Sequence, residues 1–111
     1  MKFDVILEVN HPTAELTLTG DLDAASAQTF REFVDLAARH APGRLVLRMD
    51  GLRYMASAGL RVLVFAKQKL GDAEIVMVGA QESVLETIRL TGLHRSVTFV
   101  DALPGRDIPQ A

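Results

Sequence analysis

The sequence predicts an α/β domain in which a mixed β-sheet, opened by an N-terminal hairpin, carries helices packed against it. Three observations predict it. Two alternating apolar stretches near the start, residues 3–9 and 14–19, are separated only by Asn10-His11-Pro12 and a threonine. Later segments with a helical apolar period alternate with nearly continuous apolar runs at 45–49 and 75–78, the pattern of strands covered on both faces. The chain of 111 residues is 49% hydrophobic, enough for one packed core and too short for two ordinary domains.

Taken in order, Phe3, Val5, Leu7 and Val9 alternate with Asp4, Ile6 and Glu8, which suits a half-buried strand. Pro12 lacks an N–H and restricts His11 before it, so the strand stops there. Ala14, Leu16 and Leu18 alternate with Glu15, Thr17 and Thr19 in a second strand, and so short a turn favours antiparallel pairing. Gly20-Asp21-Leu22-Asp23 ends it and starts a helix over about residues 24–39. Phe30, Phe33, Val34 and Ala37 form its apolar stripe, Arg31, Glu32 and Asp35 face water, and Asp23 suits the N-cap. Ala41-Pro42-Gly43 closes the helix ahead of the interior strand at 45–49.

The stretch from Tyr54 to Leu63 turns that strand into a second helix, with Ser57 at the loop-to-helix junction and Leu60, Leu63, Val64 and Leu70 on one face. Gly71-Asp72 makes a turn, and Gly79 stops the next buried strand at 75–78. A short helix over 82–91 carries Val84, Leu85 and Ile88 inward. Gly92 suits the left-handed position after it, where Leu93 can fold back on the helix. Residues 97–100 read as the last strand, and Pro104, Gly105 and Pro109 predict a loose tail from Asp101 onward. One domain over 1–111 is expected, with its ordered core at about 3–100.

Charge and composition exclude several roles. A net charge of −2 gives no electrostatic footprint for nucleic acid or an anionic membrane. No apolar run approaches the ~20 residues of a membrane span, and Met1-Lys2-Phe3-Asp4 lacks a signal-peptide pattern, so a cytoplasmic domain without membrane insertion is expected. The absence of cysteine removes disulfides, thiolate metal sites and a cysteine nucleophile.

A serine at a helix start can cap the helix, act as a nucleophile or accept a phosphate. Capping is the ordinary role. A nucleophile needs a base and an orienting group, and His11, His40 and His94 all lie in segments with no evident path to Ser57. No Gly-x-Ser-x-Gly elbow surrounds it, because Ala56 and Ala58 flank the serine. Phosphate acceptance suits the local physics, since free N–H groups at a helix N-terminus stabilise an added anion. Tyr54 and Met55 are adhesive if exposed, and Arg53 and Arg61 can bind acidic groups or the phosphate itself, although core packing and solvated arginines are the plainer readings. Asp21 and Asp23 make a carboxylate pair, which turn formation and capping explain as well as a metal would. Glycines 20, 43, 51 and 59 are too scattered for a nucleotide-binding loop, and no residue cluster recommends an enzyme.

Leu18-Thr19-Gly20-Asp21-Leu22-Asp23, then Leu45-Val46-Leu47, then Ala56-Ser57-Ala58-Gly59-Leu60-Arg61-Val62-Leu63 resembles the STAS-domain family, and within it the bacterial anti-sigma-factor antagonists. The resemblance runs from about Val5 to Val100. It implies a partner-switching protein that binds an anti-sigma factor doubling as a serine kinase. Phosphorylation of Ser57 by that kinase, with ATP held by the kinase, implies release, and a phosphatase resets the cycle. Asp21, Asp23, Arg53, Met55, Ala56, Ser57, Gly59 and Arg61 are then the expected partner surface, with no cofactor of the chain's own. Two features depart from the pattern. Ala56 stands where the family often has aspartate or serine, and Leu103-Pro104-Gly105 leaves little room for the further helix with which members commonly finish. The sheet face such a helix would cover is left open or left to a partner. An alternative is a constitutive adaptor subunit of a lipid or anion transport assembly, docking without a phosphate cycle.

Overall fold

Five strands form one sheet in the order β1-β2-β3-β4-β5 in the structure, a computed structural model that describes residues 1–101. β1 (Asp4–Asn10) and β2 (Thr13–Leu22) are antiparallel, closing their hairpin at the Asn10–Thr13 pair. β3 (Arg44–Met55), β4 (Glu74–Val78) and β5 (Thr98–Val100) add to β2 in parallel. The helices α1 (Ala27–Ala38), α2 (Ser57–Leu70) and α3 (Glu82–Arg89) are the crossovers between the parallel strands. Right-handed crossovers between strands laid down in sequence order put every helix on the same face of the sheet. Leu16, Leu18, Leu45, Leu47, Met49, Ile75 and Met77 accordingly meet Phe30, Val34, Leu60, Leu63, Val84 and Ile88 in one apolar core. The opposite face carries a separate small cluster of Val46, Val76 and Val78 with Val100 packed against it.

The predicted element order holds throughout, and several boundaries move. α1 begins at Ala27, not near residue 24, because Asp23 first folds residues 24–26 into a turn. The Asp23 carboxylate Oδ1 accepts from Ser26 N at 2.9 Å and Ser26 Oγ at 2.7 Å. Asp23 is therefore the turn-former ahead of the helix, and Ser26 holds the N-cap position without a side-chain bond to the N–H groups of the helix. β3 runs six residues past the apolar stretch that identified it, to Met55, burying Leu52 and Met55 as it goes. Its register with β2 shifts between Thr17 and Thr19 and again between Gly20 and Asp21. These irregularities re-aim the side chains, so inward residues here fall three apart, a spacing that the two-residue strand period conceals. On α2, Gly59, Leu60, Val62, Leu63 and Ala66 are buried, whereas Val64, expected on the inner face, is 37% exposed. Gly92 has φ +77°, the left-handed position expected after α3, and Leu93 is buried in the 3₁₀ turn that follows. The loose tail expected after Asp101 lies outside the described residues.

Phe30 is fully buried, with its ring centroid 6.3 Å from that of Phe3 at a tilted angle. Phe30→Ala should therefore cost about 3–5 kcal/mol. Urea unfolding should show a lower midpoint at an unchanged slope, and a shift smaller than that of an exposed-site control would contradict this placement of the core.

Candidate functional site

The site is built at the carboxyl edge of the parallel strands, where β2 and β3 end side by side. Asp21 pairs with Tyr54 and Leu22 with Met55, and the Ala56 N–H donates to Leu22 O at 2.8 Å. That last bond fixes where β3 stops and α2 begins. Ala56 takes extended backbone angles (φ −78°, ψ 166°) and its carbonyl accepts from Leu60 N at 3.1 Å. Ala56, not Ser57, is therefore the N-cap, and an alanine has no side-chain acceptor to offer. The capping role expected for Ser57 is not what the structure shows. Ser57 is the first residue of α2; its side chain is exposed, and its Oγ makes no hydrogen bond among the described residues.

The first turn of α2 thus has neither a side-chain cap nor an acidic residue. The free N–H groups there and the positive end of the helix dipole create an environment in which negative charge is favoured. Ser57 offers a free hydroxyl at that spot.

Two residues expected on the partner surface lie beneath it instead. Met55 is 3% exposed and Gly59 is buried, because α2 presses its first turn onto the ends of β2 and β3. A Cβ at Gly59 would stand 2.7 Å from Leu22 Cγ and Cδ2 and 3.2 Å from Met55 Cγ, so only glycine permits this approach. Above that platform, Arg53, Tyr54, Ser57 and Arg61 are exposed and Ala56 is half-buried. Arg53 and Arg61 form no ion pair among the described residues. Sequence reasoning left out Arg31, whose guanidinium lies 4.0 Å over the Phe65 ring and which lines, with Arg61, a shallow cleft between α1 and α2. Only the packing of the two helices brings these arginines together, and no local pattern signals it.

The two carboxylates separate into different tasks. Asp21 Oδ2 accepts from the Met1 ammonium at 2.6 Å, and Asp23 is committed to Ser26. Among the described residues no group of three or more His, Cys, Asp or Glu side chains is placed to hold a metal ion. The histidines are remote from Ser57 by topology. His11, His40 and His94 precede β2, β3 and β5 at the amino edge of the parallel strands, whereas Ser57 follows β3 at the carboxyl edge. No described helix is long and apolar enough to cross a membrane.

Two measurements test this local construction. Gly59→Ala must push Leu22 aside, so it should cost about 1–3 kcal/mol, read as a lower denaturation midpoint, and an unchanged midpoint would contradict the close approach. Asp23 titrates below the ordinary aspartate value of 3.8, first because Ser26 Oγ donates to its carboxylate and next because Ser26 N does. A carboxyl depressed in the folded state adds stability that is present above 3.8 and is lost as pH falls through the lower folded value. An NMR titration should place Asp23 below 3.8, and Ser26→Ala should raise it towards that value.

The sequence profile of the STAS domain matches residues 4–104. The anti-sigma-F factor antagonist RsfB of Mycobacterium tuberculosis is 29% identical over 97 residues, covering 83% of this chain and 80% of RsfB. An anti-sigma factor antagonist from Mycobacterium paratuberculosis superimposes with a TM-score of 0.83 at 20% identity, covering 92% of this chain and 88% of the other. SpoIIAA has the same fold in two forms. The unphosphorylated protein gives a TM-score of 0.72 at 16% identity over 92% of this chain and 90% of its own. The phosphorylated Bacillus protein gives 0.68 at 17% identity over 89% and 91%. The profile match spans all five strands and all three helices, so the chain belongs to the STAS domain family.

Proposed function

We propose that this chain is an anti-sigma-factor antagonist, acting as one domain in the cytoplasm through a phosphate switch on Ser57. The observation that carries the reading is the Ser57 hydroxyl, exposed at the start of an uncapped helix and without a hydrogen bond among the described residues. The name of the mycobacterial RsfB and the existence of SpoIIAA in phosphorylated and unphosphorylated forms support it.

In the unphosphorylated state the surface around Ser57 docks an anti-sigma factor that is also a serine kinase. Ala56, Ser57 and Tyr54 lie at its centre, with Arg53, Arg61 and the Asp21–Asp23 loop around them, while Met55 and Gly59 hold the platform rigid from below. The kinase brings ATP. Ser57 Oγ attacks the γ-phosphorus, the bond to the β–γ bridging oxygen breaks, ADP leaves, and the hydroxyl proton passes to a base on the kinase. The product carries nearly two negative charges, which the free N–H groups of α2 tolerate. The fold survives and the interface does not, because the phosphate introduces bulk and charge at the centre of a surface that had been desolvated. A phosphatase restores the hydroxyl.

Incubation with the cognate kinase and ATP should place a single phosphate on Ser57 by mass spectrometry. Ser57→Asp should weaken the complex at least about tenfold, roughly 1.4 kcal/mol, with a nearly unchanged melting temperature, because a carboxylate in a first helical turn is favourable. Ser57→Ala should bind and resist release by ATP. Phosphate at another residue, or release of the Ser57→Ala complex by ATP as in the wild type, would overturn the proposal in favour of a constitutive docking role.

A further inference from the structure

Two arginines on neighbouring helices share one small cleft with no carboxylate between them. The cleft, about 210 Å³, lies between α1 and α2; Ala27, Ala58 and Val62 wall it, and Arg31 and Arg61 line it. Both arginines are exposed, and neither forms an ion pair or a hydrogen bond among the described residues. Their helical neighbours do not supply an anion. The residues three and four positions from Arg61 are Ser57, Ala58, Val64 and Phe65, none of them acidic. Arg31 has Asp35 one turn further on, but the Asp35 carboxylate lies 3.9 Å from Lys69 Nζ. Two like charges beside one cleft repel, so an anion placed next to them is favoured.

The row that these charges form on α2 leads to Ser57. Ser57, Arg61 and Phe65 follow one another at four-residue spacing, each step rising about 6 Å along the helix. The Arg31 guanidinium lies 4.0 Å over the Phe65 ring, at the far end of that row, where a cation–π contact holds it. Side chains four apart on a helix start about 5–6 Å from each other, so a phosphate on Ser57 is within reach of the Arg61 guanidinium. The order is the favourable one, with the acidic member N-terminal to the basic one. The planar fork of an arginine can also donate to two phosphate oxygens at once. Arg53 has no such spacing, because the end of β3 and the turn at Ala56 stand between it and Ser57.

We propose that in the phosphorylated state Arg61 binds the Ser57 phosphate within the same chain, with Arg31 adding its charge from across the cleft. This rests on the reading of Ser57 as the phosphate acceptor and adds how the modified form is held. The phosphate is drawn along α2 onto its own chain and partly neutralised there. Arg61, a residue of the proposed docking surface, is occupied by the same event, so one modification removes both a hydroxyl and a cation from that surface.

Phosphoserine incorporated at position 57 of the full chain by genetic-code expansion tests this without a kinase. Phosphorus NMR should place its second ionisation below the ordinary value of about 6. Arg61→Gln should raise that ionisation by about 0.3 pH unit, the size of an exposed i,i+4 pair, and Arg31→Gln should raise it less. Arg61→Lys should recover most of the difference, Arg53→Gln should leave the ionisation in place, and added salt should shrink the Arg61→Gln effect. The helix start is the same in every variant, so the differences report the arginines alone. An ionisation unchanged by Arg61→Gln, or raised as much by Arg53→Gln, would overturn the proposal. Either result leaves the acceptor reading intact, which the kinase experiment decides separately.

Discussion

The parallel pairing of β2 with β3 is the constraint on which the rest depends, and above all its persistence to the last residues of both strands. Leu22 and Met55 are paired at the carboxyl edge, and the Leu22 carbonyl takes the Ala56 N–H. This decides where the strand ends, and so which residue opens α2 and which side chain projects there. The same pair forms the floor that Gly59 touches, so one set of contacts fixes both the origin and the height of the helix. A one-residue change in where β3 lets go would put a different side chain where Ser57 stands. Few other interactions in the molecule have consequences so close to the proposed chemistry.

An uncapped helix start is a sacrifice of stability. A serine or aspartate at the cap is worth about 1 kcal/mol over alanine, and α2 begins with Ala56. The structure leaves the first N–H groups without a side-chain acceptor and sets a hydroxyl one residue further on. A phosphate on that hydroxyl carries acceptor oxygens to the place where acceptors are lacking. In the proposed cycle the modification therefore costs the domain little, and nearly all of its free energy falls on the partner.

Element types were legible in the sequence because period carries them, as with Val5, Leu7 and Val9 in β1 or Phe30, Val34 and Ala37 in α1. The fold class and the position of Ser57 at a helix start were legible for the same reason. Boundaries failed where a side chain or a pairing competed with the local pattern. Asp23 looked like a helix cap and instead closes a turn on Ser26. Met49, Leu52 and Met55 fall three apart across two register shifts, so neither strand nor helix period announces that β3 continues. Met55 and Gly59 sit among surface residues in the sequence, and packing that includes Leu22, far away along the chain, makes them interior. The cleft shared by Arg31 and Arg61 is likewise a product of helix packing.

The sheet has two faces and one functional edge, and the strand order explains their different fates. Because successive parallel strands are laid down side by side, all the crossover helices fall on one face, and the other face receives no helix from the same rule. Val46, Val76 and Val78 nonetheless make the interior strands apolar on both sides, which is why their runs read as continuous in the sequence. The carboxyl edge needs no cover, because there the strands hand over to loops and helix starts whose polar groups water or a partner can satisfy. A switch residue belongs at such an edge. In the proposed cycle, charge added there would touch neither apolar layer, because Leu22, Met55 and Gly59 support the start of α2 from below.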